Sequence, residues 1–135
     1  MTELTLQAVV ENIPAATAFI DEQLEAQDCS MRAQMQIDVA IDEIFCNIAR
    51  YAYDGATGEA TVKFDFDPSD RMAKIIFEDG GKPFDPLQKA DPDVTLAAEQ
   101  RAIGGLGIFL VKKTMDDMTY RYENGKNVLT LYKHI

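Results

Sequence analysis

An α+β fold is what this sequence predicts: a two-layer α/β sandwich of about five mostly antiparallel strands with three helices on one face. Three observations predict it. Period-two runs come as hairpins rather than alternating with helices, three separate stretches carry apolar residues at helical spacing, and Asn124-Gly125 stands between two β-rich runs, the strongest short hairpin signal there is. At 135 residues the chain has the length of one ordinary domain, so a single domain over 1–135 is expected.

Residues 2–10 alternate loosely and carry β-branched side chains, which predicts a first strand closed by Asn12 and Pro14. Pro14 suits the first position of a helix in which Ala15, Phe19, Ile20 and Leu24 recur up to the Asp28-Cys29-Ser30 break. Ser30 is the expected N-cap of a long second helix, whose stripe of Ile37, Ile41, Ile44, Phe45, Ile48 and Ala52 faces a core and which stops near Asp54-Gly55. Thr61 to Phe66 and Met72 to Phe77 alternate on either side of the turn Asp67-Pro68-Ser69-Asp70. Residues 79–105 are rich in glycine and proline, too long a break for a simple turn, and read as a functional loop or lid. Leu106, Phe109, Leu110 and Met115 restore helical spacing in a third helix over 106–116, with Lys112 and Lys113 where the helix dipole favours cations.

Composition narrows the function. Hydrophobic residues make up 47% of the chain, enough for a core and too many for disorder. Thirteen Lys+Arg against 23 Asp+Glu leave a net charge of −10, a field that opposes nucleic-acid backbones, so no nucleic-acid partner is expected. Cys29 and Cys46 with a lone histidine, His134, suit neither a disulfide framework nor a zinc site and point to a reducing, cytoplasmic setting. No apolar run approaches the ~18 residues of a span, and the N-terminus lacks the basic and apolar regions of a signal peptide, so no membrane role is expected.

Three clusters carry possible chemistry. Glu43 and Asn47, four apart on the second helix, project together about 40° apart, off the apolar stripe. Taken alone such a pair is more often a solvated helix edge; otherwise the amide oxygen can ligate a hard cation and the carboxylate can take a proton. In Phe77-Glu78-Asp79-Gly80-Gly81-Lys82-Pro83-Phe84, a strand ends in an acid, two glycines and a stiff proline. That is ordinary turn chemistry as well as a place where a ligand can touch backbone and a buried Asp can accept from an amine. Ile103-Gly104-Gly105-Leu106-Gly107 opens the third helix, where free N–H groups and the positive dipole end suit an anion, although helix packing also uses glycine.

Taken together and in this order, DEIFCNIARYAY, FEDGGKPFDPL and GGLGIFLVKK resemble the N, G1 and G2 boxes of the Bergerat-type (GHKL) ATP-binding fold, and their spacing most resembles the anti-sigma factor serine/threonine kinase family. The resemblance spans essentially the whole chain. It implies ATP and Mg²⁺ as cofactors, Glu43 as general base, Asn47 as magnesium ligand and Asp79 as acceptor of the adenine amine. It further implies that Gly81 permits the adenine to approach, with Pro83 and Phe84 beside it, and that Gly104, Gly105, Leu106 and Gly107 shape a phosphate-binding helix start. Residues 86–103 would form an ATP lid. Two positions depart from the pattern: many relatives have His where this chain has Tyr51, and some have Arg where it has Ile103, with Arg101 two residues earlier within reach of a γ-phosphate if the lid folds over. The implied activity is phosphorylation of a small anti-anti-sigma (STAS-type) protein by a homodimeric anti-sigma factor that also holds a sigma factor. The alternative is a catalytically silent ATP-binding module that sequesters a regulatory protein. The catalytic part of a histidine kinase is less well matched, because no dimerisation helix with a phosphoacceptor His is present.

Overall fold

Side-chain alternation decides which side of the sheet the helices cover. The computed structural model describes residues 1–88 and 105–135. Strands β1 (Thr2–Gln7), β2 (Glu59–Asp67), β3 (Met72–Asp79), β4 (Asp117–Glu123) and β5 (Lys126–His134) form one sheet in the order β1-β2-β3-β5-β4, and each neighbouring pair is antiparallel. One face presents Val62 and Phe64 of β2, Ala73, Ile75 and Phe77 of β3, and Leu129 and Leu131 of β5, all buried. Helices α1 (Ile13–Ala26), α2 (Met31–Asn47) and α3 (Gly105–Thr114) lay Ile20, Leu24, Ile37, Ile41, Phe45, Ile108 and Val111 into the same core. Each fully buried side chain of this kind contributes about 1.5–3 kcal/mol, so the two-layer arrangement is held by the apolar stripes themselves. The opposite face carries Lys63 and Glu78 as an ion pair at 2.5 Å.

The α+β sandwich with three helices is as the sequence predicts, and the details are local chemistry. Ser30 caps α2, its hydroxyl accepting from the Ala33 N–H at 3.2 Å. Asn124 and Gly125 both take positive φ, +53° and +76°, the twist that a two-residue turn needs to join β4 and β5. The first strand is shorter than its alternation suggests. It ends at Gln7, whose carbonyl accepts from the Asn12 side chain at 2.9 Å, and Val10–Asn12 turn as a short 3₁₀ segment into α1. That strand finds its partner inside the chain, since Thr2 to Gln7 pair with Phe64 to Glu59 of β2.

After Asn47 the second helix changes character. Ile48–Ala52 form a π turn, with hydrogen bonds to i+5, which runs out where Asp54 and Gly55 adopt φ of +49° and +84°. Among the described residues, no helix is long and apolar enough to cross a membrane.

Candidate functional site

The C-terminal end of α2, its π turn and the ends of β3 and β5 surround a cleft of about 510 Å³, counting its open mouth. Its walls are mainly apolar: Ile44, Ile48 and Ala52 from the helix side, Phe77 and Leu129 from the sheet, Ile108 from α3. Among the described residues, polar groups enter at a few points, from Asn47, Tyr51, Asp79, Lys82, Tyr120 and Asn127. Apolar walls with few fixed polar groups suit an aromatic heterocycle.

Asp79 closes β3 and is 7% exposed. Its Oδ1 accepts from the Gly81 N–H and from Asn127 Nδ2, both at 2.9 Å. Both bonds go to one oxygen, so among the described residues Oδ2 keeps its lone pairs for the cleft. Gly81 is buried for a reason of its own: a Cβ there would come 2.3 Å from the Ala52 carbonyl oxygen and 2.6 Å from its Cβ. The residue lets the loop after β3 lie on the π turn, where the Lys82 N–H donates to the Ala52 carbonyl at 3.0 Å. Tyr53 fastens the same loop from the side; its hydroxyl accepts from the Gly80 N–H at 2.9 Å and donates to the Glu59 carbonyl. Burial pushes that phenol above its ordinary pKa.

On the helix side, Asn47 lines the cleft and donates through Nδ2 to Glu43 Oε1 at 3.4 Å, a long bond that, among the described residues, leaves the amide oxygen unused. Glu43 is half-buried beside the cleft rather than on its lining. Its carboxylate lies where a side chain at position 107 would have to be, and a Cβ on Gly107 would be 2.1 Å from Glu43 Cδ. The glycine therefore seats the first turn of α3 on the acid. That turn starts at Gly105, and its N–H groups have no partners within the helix, the property that makes a helix start receptive to anions.

Of the residues singled out from sequence, Asn47, Asp79 and Phe84 meet on the cleft, and Glu43 and Gly107 touch each other at its edge. Pro83 is exposed and off the lining. Gly105 and Leu106 begin α3, whereas Arg101, Ile103, Gly104 and the expected lid beyond Gln88 lie outside the described residues. Tyr51, 46% exposed, and Phe84, 39% exposed, stand on the lining as aromatic groups reaching into solvent.

Asn127 is a cleft residue that the sequence does not mark. It follows Asn124-Gly125 closely enough to read as turn chemistry, and Asn is uncommon in strands. Its position in the alternation was the available signal: Asn127, Leu129 and Leu131 share one face of β5, so an amide sits in a row of core residues.

A profile of the histidine kinase-like ATPase domain matches residues 6–133 of this chain. The chain belongs to that family. As a histidine kinase-like ATPase domain it has relatives among named kinases. It is 33% identical over 105 residues to the Serine-protein kinase RsbW of Listeria monocytogenes, a match covering 74% of this chain and 66% of that protein. The RsbW of Bacillus cereus is 34% identical over 95 residues, covering 67% of this chain and 58% of the relative. The chain thus spans less than two thirds of the length of the curated relatives it matches.

Proposed function

We propose that this histidine kinase-like ATPase domain is an ATP-dependent serine/threonine protein kinase of the cytoplasm that acts as an anti-sigma regulatory factor and phosphorylates a small STAS-type partner. The observation that carries the reading is the polar layout of one cleft. An acid with one oxygen held and the other free, Asp79, stands on the sheet side, and the Glu43–Asn47 pair stands on the helix side below the start of α3. This is where an adenine amine and a triphosphate would be received at the two ends of one nucleotide. Relatives named as serine-protein kinases support the same chemistry.

Phosphoryl transfer needs positioning and charge neutralisation more than covalent work. The apolar walls would hold the base, Asp79 Oδ2 would accept from its amine, and the α3 N–H groups would face the phosphates. Glu43 would take the proton of the attacking hydroxyl, its Oε1 already oriented by Asn47. The unused Asn47 amide oxygen is a hard donor of the kind Mg²⁺ takes when it keeps waters and binds phosphate as well, so Asn47 fits a magnesium ligand. When bound, the ion would neutralise charge on the phosphate oxygens.

By the same resemblance we propose a homodimer; light scattering at micromolar concentration should return the mass of two chains, and a monomer would contradict it. The kinase reading is tested with Glu43→Gln, whose amide keeps the shape but cannot take a proton. ATP binding should survive in calorimetry while transfer of labelled phosphate to a purified STAS-type partner disappears. Wild-type chain that binds ATP without transferring it would favour the silent module, and undiminished transfer by the variant would remove Glu43 from the mechanism.

A further inference from the structure

We infer that Asn127 is a positioning residue that gives the site its preference for adenine, by holding the Asp79 carboxylate in the orientation that leaves Oδ2 facing the cleft. The inference rests on the proposed reading of this cleft as an ATP site.

A primary amide has two donor hydrogens and two acceptor lone pairs. Asn127 uses all four. Nδ2 donates to Asp79 Oδ1 and to the Lys82 carbonyl, each at 2.9 Å, while Oδ1 accepts from the Phe84 N–H at 3.0 Å and from the Tyr120 hydroxyl. The residue is 6% exposed, and it faces Asp79 directly across the β3–β5 pair. One side chain thus ties together the acid, both ends of the Lys82–Phe84 stretch and β4.

That saturation decides what Asn127 does with respect to a ligand. It has no hydrogen-bonding capacity left for a nucleotide, although it lines the cleft, so it acts through its neighbours. Its donor to Oδ1, together with the Gly81 N–H on the same oxygen, fixes the carboxylate's rotation about its terminal bond. Terminal carboxylate torsions are otherwise broad. Without the amide, Asp79 keeps a single restraint from its own loop, and that loop loses its tie to β5 at Lys82 and Phe84. The acceptor aimed at the base amine would then be spread over a range of directions.

The chemistry predicts a selective loss. Purine riboside 5′-triphosphate is ATP with hydrogen in place of the 6-amine, so it has everything ATP offers except the group that Asp79 Oδ2 would accept from. Calorimetry on the full chain should find that wild type binds ATP about tenfold or more tightly than this analogue, the worth of one well-placed hydrogen bond. Asn127→Ala should bring that ratio down to within about threefold of unity, chiefly by weakening ATP. Asn127→Leu keeps the bulk, adds no charge beside Asp79 and loses the donors, so it should collapse the ratio too; it carries the test if the alanine variant does not fold. Tyr120→Phe, one bond removed from Asp79, should shift the ratio less. A structural role alone would weaken both nucleotides equally, so a folded variant with the wild-type ratio overturns the inference. If wild type itself does not distinguish ATP from the analogue, the adenine role of Asp79 falls, and the inference falls with it.

Discussion

The Glu43 carboxylate occupies the space in front of Gly107, so that any Cβ at 107 would stand 2.1 Å from Glu43 Cδ. The acid expected to take a proton and the glycine expected to shape a phosphate-binding turn are thus one contact between α2 and α3. Of the two partners, the end of the Glu43 side chain is the one that can move. Gly107→Ala should therefore swing the carboxylate away with little effect on melting temperature, and should lower phosphate transfer by about tenfold or more, as misplacing a general base does. A transfer assay beside a thermal melt checks this; full activity would mean that the observed position of Glu43 is not the working one.

Asp79→Asn should weaken ATP binding by about 1–3 kcal/mol, because the amide can keep its carbonyl toward Gly81 and Asn127 only by turning its NH₂ group on the base amine. Unchanged affinity in calorimetry would take Asp79 out of base recognition.

Tyr53→Phe removes one hydroxyl that serves both the Gly80 N–H and the Glu59 carbonyl. Both groups lie near solvent and can recover water, so the expected cost is modest, about 1 kcal/mol in urea unfolding, with a smaller loss of ATP affinity than Asp79→Asn gives. A loss of ATP affinity matching that of Asp79→Asn would mean that the loop after β3 depends on Tyr53 more than on Asn127.

Between α1 and α2, Asp21 and Asp38 each have a buried Oδ1 with no hydrogen-bond partner. Burial, then the neighbouring Asp21 carboxyl and its negative charge, then Glu25, push Asp38 up to about 7. The unfolded Asp titrates near 4, so between about pH 4 and 7 the folded chain holds a proton that the unfolded chain has released. Stability from this source is complete below that window and is lost as pH rises through it. Asp38→Asn, neutral throughout, should make the fall in melting temperature from about pH 5 to 8 shallower. The same slope in both proteins would show that this pair does not titrate as described.

Much of this was legible in the chain itself. Period-two runs and helical stripes mark elements whenever one face is buried and the other wet, which is why β2, β3, α2 and the Asn124-Gly125 hairpin stand where their residues predict. The end of β1 was not legible, since Ala8 and Val9 continue the alternation while the Val9 N–H and the Asn12 side chain, both folding back on the Gln7 carbonyl, stop the strand. Asp79 and Asn47 drew notice because acids and amides beside glycine or on a helix edge are conspicuous. Asn127 drew none, because its meaning comes from a partner 48 residues away. The close approaches at Gly81 and Gly107 are likewise facts of packing, which no local pattern records.

The π turn at Ile48–Ala52 has a consequence for how the chain can vary in length. Deleting the exposed Arg50 would let this stretch relax into ordinary α-helix. The residues beyond would then arrive one step early and rotated, with the Ala52 carbonyl no longer meeting the Lys82 N–H and the Tyr53 hydroxyl no longer meeting Gly80. The cleft would lose the floor on which Gly81 rests while the sheet kept its pairing. A gap of one residue here should be rarer among descendants of this chain than gaps in the Pro68–Asp70 turn, where both flanking strands are already registered against each other.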